Sequence, residues 1–292
     1  MEDTTMKLAL SMGAKNITCE RLEACKLAGI EAIEVSEGSI IGADAVDFAS
    51  VKAIADEYGI TLWSFHLPFL PFETIDISHP SLADYTVKYF CSLIDKASSI
   101  GIKTFVIHPS GEPIADSDRS MRLECAKNSL FALAEYAKSK GAVIAVEDLP
   151  RTCLGRNSSD ILALTSAHPD LRVCFDTNHL LGEEIAHFIS AVGEKIVTTH
   201  VSDYDFINER HWLPGEGKID WAALKSKLFS VGYDGYWLYE LGLSGSNWTI
   251  DRPRSLTYSD LSKNFNEIMA GLTPTPVGVS KKDLPMFPPK GN

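Results

Sequence analysis

Apolar runs alternate with amphipathic stretches along the chain. In five places an amphipathic stretch ends at a glycine and a short β-branched or aromatic run follows, as in KLAGIEAIEV, DEYGITLWSF and SSIGIKTFVI. Gly29, Gly59, Gly101, Gly141 and Gly232 take the position after a helix where left-handed backbone geometry is needed. The runs that follow are continuously apolar rather than alternating, which is typical of parallel strands buried on both faces.

The pattern predicts strands and helices in strict alternation. The strands are expected near 7–12, 31–35, 61–66, 103–108, 143–147, 172–176, 196–201 and 236–240. The helices are expected near 19–28, 45–58, 82–99, 119–140, 159–167, 183–192, 221–231 and 258–271. A doubly wound sheet suits fewer strands, so this count favours an α/β fold with one parallel eight-stranded (β/α)8 barrel.

The barrel is predicted to form one catalytic domain over residues 1–272. The remaining segment, TPTPVGVSKKDLPMFPPKGN at 273–292, is rich in proline and has no helical period. We therefore expect an extended C-terminal tail there. An arm of this kind fits against either the barrel or a neighbouring subunit, so a homo-oligomer is one of the expected assemblies.

Composition and charge exclude several classes of function. Apolar residues make up 45% of the chain and charged residues 23%, as in ordinary globular proteins. A net charge of −12 argues against a nucleic-acid partner, because phosphate binding needs clustered Lys and Arg. The start, MEDTTMKLALSMG, is acidic where a signal peptide is basic, and no stretch approaches the roughly 20 apolar residues of a membrane span. We expect a cytoplasmic protein without membrane contact, whose six cysteines, none in a CxxC pair, are reduced.

Polar, metal-capable side chains follow one predicted strand after another. They are His66, His108, Glu147, Asp176, His200 and Glu240, at the ends of strands three to eight. In a barrel these ends converge on one mouth, where active sites of this fold lie. Each residue interrupts an apolar run, and a bound metal ion would offset the cost of burying such charges. The mixed oxygen and nitrogen donors of Glu147, Asp176, His200 and Glu240 suit one divalent Mn, Mg, Co or Zn ion.

Seven segments together resemble the xylose-isomerase-like TIM barrel superfamily. They are FHLPF, VIHPSG, AVEDLPR, CFDTNHLLG, THVSDYD, ERHWLPGEGKIDW and YELG, spread over residues 61–242. This superfamily includes sugar-phosphate isomerases and epimerases, ketose 3-epimerases and apurinic-site endonucleases. The resemblance implies metal ligation by Glu147, Asp176, His200 and Glu240. It also implies that Glu147 and Glu240 act as an acid/base pair on opposite faces of the substrate carbon, and that His179 contacts substrate hydroxyls.

The resemblance leaves the branch of the superfamily open. His66 and His108 match the first-metal histidines of the endonucleases, and His179 and His211 match third-metal ligands there. Glu209 stands where that branch has Asp, and its longer side chain puts a third metal in doubt. Simple sugar isomerases of the superfamily often keep several of these histidines. We therefore expect the four histidines to bind substrate or to support the metal ligands.

These features favour a metal-dependent isomerase or epimerase of a sugar or sugar phosphate. One glutamate would remove the proton next to a carbonyl, and the enediolate so formed would be stabilised by the ion. Alternatives are an apurinic-site endonuclease-like multi-zinc phosphodiesterase, an inosose dehydratase-type lyase, a hydroxypyruvate-type isomerase, and a barrel that binds sugar without turnover. The net charge of −12 weighs against the nuclease, and the presence of both glutamates weighs against the inactive barrel.

Other charged residues carry weaker signals. Arg151 and Arg156, after the fifth strand, are candidates for holding a phosphate, with solvated loop charges as the other interpretation. His79, His168 and His187 fall on predicted loops or helices and are expected on the surface.

Overall fold

Eight parallel strands form a nearly closed barrel in the computed structural model, which describes residues 6–288. The strands are β1 (Lys7–Met12), β2 (Ala32–Ser36), β3 (Thr61–His66), β4 (Thr104–Ile107), β5 (Val143–Glu147), β6 (Arg172–Asp176), β7 (Ile196–His200) and β8 (Tyr236–Tyr239). From β1 to β7 consecutive strands pair, and β1 also pairs with β8. A backbone bridge from Val201 to Tyr239 joins the remaining two edges. The predicted (β/α)8 fold is confirmed.

Helices alternate with the strands around the barrel. They are α1 (Cys19–Leu27), α2 (Ile40–Asp44), α3 (Phe48–Tyr58), α4 (Ala83–Ser99), α5 (Arg119–Ser139), α6 (Ser158–Thr165), α7 (Ile185–Val192), α8 (Trp221–Ser230) and α9 (Tyr258–Met269). The eight expected helices are present, with shifts of a few residues at their ends. The additional α2 begins after Ser39, whose hydroxyl accepts the amide of Gly42. Its five residues are too few to show a helical period in the sequence.

The apolar runs of the strands are buried on both sides. Every position of β4 is buried, and Leu10, Ile33, Phe65 and Phe175 are each at most 2% exposed. The barrel interior covers one face of each strand and the helices cover the other. Each large apolar side chain buried in this way contributes about 1.5–3 kcal/mol relative to exposure.

The predicted left-handed glycines end helices as expected. Gly59 follows α3 with φ 62°, and its amide donates to the carbonyl of Asp56. Gly29, Gly101, Gly141 and Gly232 also have positive φ angles. These turns return the chain to the start of the next strand.

The C-terminal segment crosses loops at the mouth of the barrel. In it β10 (Val279–Ser280) pairs antiparallel with β9 (Ile250–Asp251). Further along, the side-chain amide of Asn208 donates to the carbonyl of Met286 at 2.6 Å. The expected domain 1–272 and tail 273–292 also include residues 1–5 and 289–292, which lie outside the described part.

The structure corrects one expectation about the surface. His168 is only 5% exposed, because its Nε2 atom lies 2.6 Å from Glu135 Oε1 and its ring lies against Phe131. Its partners come from α5, so nothing next to His168 in the sequence indicates its burial. His79 and His187 are exposed as expected.

Two further expectations concern membrane contact and cysteine chemistry. Between residues 6 and 288, no helix has both the length and the apolar character that crossing a membrane requires. All six cysteines are free. Burial raises the pKa of the Cys25 thiol to about 12, so this thiol is protonated and unreactive at neutral pH.

Candidate functional site

Four side chains meet at the C-terminal ends of adjacent strands and form what we name the strand-end cluster: Glu147, Asp176, His200 and Glu240. The first three end β5, β6 and β7, and Glu240 directly follows β8. One donor atom of each residue lies within 4.8 Å of the others. His200 Nδ1 is 3.0 Å from Glu147 Oε1 and 3.4 Å from Glu240 Oε2. Parallel strands end at one rim of the barrel, so residues distant in sequence meet there.

The charge balance of the strand-end cluster fits a divalent cation. Asp176 Oδ2 is buried and has no hydrogen-bond partner among residues 6–288. Burial raises the pKa of Asp176 to about 6, against the opposing effect of His179. Burial alone would lower the pKa of His200. The surrounding acidic groups have the larger, opposite effect, so the pKa lies well above its usual value. Three carboxylates and one imidazole are donors that Mn, Mg, Co or Zn accept, and a cation would neutralise their excess charge.

Glu34, which the sequence analysis missed, supports His200 from below. Glu34 is fully buried in the middle of β2, and its Oε1 atom lies 3.0 Å from His200 Nε2. Ser11 and Ser64, paired with Glu34 on the neighbouring strands, donate to its two oxygens at 3.1 and 2.8 Å. Burial raises the pKa of Glu34, but the charge of His200 lowers it more, so Glu34 is an anion. An anion beside Nε2 would favour the form of a metal-bound imidazole that keeps its proton at Nε2 and offers Nδ1 as the ligand atom.

His66 and His108 contact the other oxygen of Glu147. Their Nε2 atoms lie 3.0 and 3.2 Å from Glu147 Oε2. Burial raises the pKa of Glu147, but His200 and His108 lower it more, so it lies well below its usual value. The ring of Phe69 stacks on His108 with centroids 4.2 Å apart. The two histidines thus fix the orientation of Glu147, and their nitrogens together with Glu147 form another group that could hold a cation.

A second group, the loop cluster, consists of His179, Glu209 and His211 and lies beyond the ends of β6 and β7. His179 Nε2 lies 3.3 Å from Glu209 Oε2, and its Nδ1 donates to the carbonyl of Asp148. The other oxygen of Glu209 lies 3.1 Å from Arg151 Nη2. One donor atom of each cluster member lies within 4.8 Å of the others. Burial raises the pKa of Glu209, but His179 lowers it more, so this carboxylate is ionised.

A cavity of about 210 Å³, the site cavity, opens above both clusters. It is lined by the four histidines predicted to bind substrate (His66, His108, His179 and His211), by both predicted catalytic glutamates, and by Phe69, Phe72, Glu112 and Arg151. Pockets for drug-sized ligands measure about 300–1,000 Å³, so this cavity suits a smaller molecule. The aromatic wall and Glu112 were not foreseen, because they stand on loops without strand or helix periodicity.

The chain shows partial sequence similarity to curated proteins. It is 28% identical over 119 residues to a fructoselysine 3-epimerase of Escherichia coli O157:H7, a match that covers 39% of this chain and 43% of that protein. The chain thus spans less than half the length of that relative. An uncharacterised protein of Methanocaldococcus jannaschii is 25% identical over 191 residues, covering 62% of this chain and 64% of the relative.

Solved structures share the fold. A D-tagatose 3-epimerase-like protein superposes with a TM-score of 0.70 at 21% identity, covering 80% of this chain and 90% of the other. A D-psicose 3-epimerase crystallised in the presence of D-fructose superposes with a TM-score of 0.72 at 16% identity, covering 91% and 98%. At these identities the likeness is evidence for the fold alone.

A family profile gives the broader relationship. The profile described as xylose isomerase-like TIM barrel matches residues 22–257. This range contains both clusters and all seven segments of the resemblance. The chain therefore belongs to the xylose isomerase-like TIM barrel family.

Proposed function

We propose that this chain is a divalent-metal-dependent epimerase or isomerase of a sugar or sugar phosphate. The observation that carries the proposal is the convergence of Glu147, Asp176, His200 and Glu240 beside a small polar cavity. Related proteins named as fructoselysine 3-epimerase and D-psicose 3-epimerase make ketoses the first substrate class to test.

The strand-end cluster would hold the ion. Asp176 and His200 are fully buried, whereas Glu147 and Glu240 also line the site cavity. The two glutamates are therefore positioned to face both the ion and the substrate. When bound, the ion would draw electron density from substrate oxygens and so acidify the neighbouring C–H bond.

Glu147 and Glu240 would exchange protons with the substrate. Glu147 is ionised at neutral pH, because His200 and His108 hold its pKa well below the usual value. As it accepts the carbon-bound proton, the C–H electron pair would form a carbon–carbon double bond and the π electrons of the carbonyl would move to its oxygen, which gives an enediolate. A proton that Glu240 takes from solvent and delivers to the opposite face of the same carbon would re-form the carbonyl and give the epimer. Delivery to the adjacent carbon, with transfer of the hydroxyl proton of the first carbon to the former carbonyl oxygen, would give the isomer. His179 and His211 would contact substrate hydroxyls.

One observation favours a second candidate, the multi-zinc phosphodiesterase. His66, His108 and Glu147 form one additional donor group, and the loop cluster forms another. The net charge of −12 opposes it, because DNA phosphates require cationic partners. Nicking of abasic DNA would favour this candidate. A lyase of the inosose dehydratase type would share the proton abstraction and differ by eliminating water.

Exchange of the carbon-bound proton with solvent deuterium tests the proposed mechanism. A panel of ketoses and ketose phosphates is incubated in D2O with Mn, Mg or Co, and exchange is followed by NMR. Glu147→Gln and Glu240→Gln are each expected to slow exchange by about 10²–10⁴-fold, because a positioned acid or base contributes that much. Glu124→Gln, on the exposed face of α5, is the matched control.

Metal content is measured in every variant so that loss of the base is separated from loss of the ion. Near-normal exchange in both active-site variants would contradict the paired-glutamate mechanism. Unchanged activity after chelation would contradict the metal dependence.

A further inference from the structure

A second cavity, which we name the side pocket, adjoins the site cavity. Its volume is about 660 Å³. Glu112 and Arg151 line both cavities, so the two share a wall. The site cavity alone, at about 210 Å³, leaves little space beyond a small molecule. The side pocket therefore lies directly beside the site cavity, on the other side of the Glu112–Arg151 pair.

One side of the side pocket is apolar and comes from the tail. Met286 and Phe287 line it and remain 41% and 58% exposed, and Leu181 lines it as well. The Asn208 side chain holds the backbone of Met286, and the guanidinium of Arg151 lies 5.9 Å from the ring centroid of Phe287. Exposed apolar side chains in a concave surface mark a ligand site, and methionine adapts to varied shapes.

The side pocket also carries one arginine without a partner among the described residues. Arg151 is paired with Glu112 and Glu209. Arg156 is half-buried and lines the pocket, yet it makes no ion pair or hydrogen bond with any residue in 6–288. Glu112 is the acidic residue of the lining, and it is paired with Arg151 rather than with Arg156. A guanidinium presents paired donors that match carboxylate or phosphate oxygens, so Arg156 favours an anionic ligand.

We infer that the side pocket binds the far end of an extended substrate, which is a ketose joined through an apolar linker to an anionic group. The inference rests on the proposed function, because the ketose end occupies the site cavity. The linker passes the shared wall at Arg151 and lies against Phe287, and the anion pairs with Arg156. A carboxylate and a phosphate both satisfy this chemistry.

Four probes test the inference: D-fructose, fructose linked at C1 through an amine to 6-aminohexanoate, the same compound as the terminal amide, and its analogue with a terminal phosphate. Deuterium exchange gives kcat/KM, and calorimetry gives affinity. We expect kcat/KM for the anionic probes to exceed that for the amide probe by about 10-fold or more, chiefly through a lower KM. Hydrogen bonds to charged groups contribute free energy of this size. The better of the two anions shows whether the side pocket prefers a carboxylate or a phosphate.

Variants assign the effect to the side pocket. Arg156→Gln is expected to lower the kcat/KM and the affinity of the anionic probes to those of the amide probe. Arg156→Lys is expected to keep part of the preference for the anionic probes. Arg172→Gln is the matched control. Arg172 begins β6, at the end of the strand away from the site, and this variant should keep the full preference for the anionic probes. Phe287→Ala is expected to lower the affinity of the probes that carry a linker by about 3- to 10-fold relative to that of D-fructose, because it removes apolar contact area.

The two proposals fail in different ways. Absence of exchange with every probe would contradict the proposed function, while calorimetry still reports on the side pocket. Equal affinity for the anionic and amide probes, or a preference that persists in Arg156→Gln, would overturn the inference about the side pocket alone.

Discussion

The strand-end cluster and the loop cluster contain similar donor groups but are built in different ways. Glu147, Asp176 and His200 end strands whose backbones are hydrogen-bonded to their neighbours. His179 and Glu209 lie on loops and depend on side-chain contacts, to the carbonyl of Asp148 and to Arg151 respectively. Strand ends hold donor atoms in place before a ligand arrives, whereas loops can adjust to one. We therefore propose that the ion binds at the strand-end cluster and that the loop cluster contacts the substrate.

The surroundings of the two clusters also differ. Behind His200 stand Glu34 and the serines of the two adjacent strands, so the imidazole is fixed from a buried layer. Near the loop cluster, Arg151 and His211 have φ angles of 55° and 52°. A left-handed residue with a β-carbon costs about 1–3 kcal/mol and persists only where its surroundings hold it, often at sites that bind ligands.

The largest expected difference between the strand-end cluster and the loop cluster concerns metal binding. His200→Ala should lower affinity for Mn or Co by more than about 100-fold, because loss of a mere supporting partner already costs about 10- to 100-fold. His211→Ala should keep one ion per chain, with affinity within about 10-fold of the unmodified protein. Titration calorimetry and elemental analysis after dialysis measure both quantities.

Circular dichroism of each variant shows whether the barrel is intact. Equal loss of metal in the two variants would remove the distinction between the clusters. Three ions per chain in the unmodified protein would instead favour the multi-zinc candidate.

The two clusters also differ in how far the sequence alone predicts them. The strand-end cluster was predictable because each of its members interrupts an apolar run at a strand end, as Glu147 does after VIAV. Glu34 gives the same signal in the run EAIEV, but it lies in the middle of β2 and points into the barrel. A search confined to strand ends therefore missed it. Its partners, Ser11 and Ser64, are identified only by the register of the neighbouring strands.

The loop contacts could not be predicted in the same way. Glu209 was singled out by resemblance, yet nothing in its neighbourhood indicates a contact with Arg151, which lies 58 positions earlier. The side pocket combines loop residues with Met286 and Phe287 from a tail without periodicity. Periodic patterns specify strands and helices, whereas loop contacts depend on tertiary packing that a single sequence does not reveal.

A smaller effect is expected from the buried layer behind His200. Glu34→Gln keeps the shape of the side chain but removes the charge that holds the Nε2 proton of His200. We expect metal affinity to fall about 10- to 100-fold, because partners of metal-bound histidines contribute that much. Glu31→Gln, exposed just before β2 and paired with Lys7, is the matched control. Unchanged affinity in Glu34→Gln would mean that the strand ends alone position the imidazole.

The smallest effect is expected in the loop cluster. Glu209→Gln removes the charge shared by His179 and Arg151 but leaves the pair between Arg151 and Glu112. Glu209 is 30% exposed, and partly exposed ion pairs contribute about 0.2–1 kcal/mol, so KM for a ketose should rise only about 2- to 5-fold with kcat within about 2-fold. Glu73→Gln, on an exposed loop after β3, is the matched control for steady-state kinetics.

The number of bound ions should stay the same, since we propose that the loop cluster contacts the substrate rather than the ion. Loss of one ion per chain in Glu209→Gln would show instead that this carboxylate is a metal ligand, and the loop cluster would then resemble the strand-end cluster in function despite its different construction.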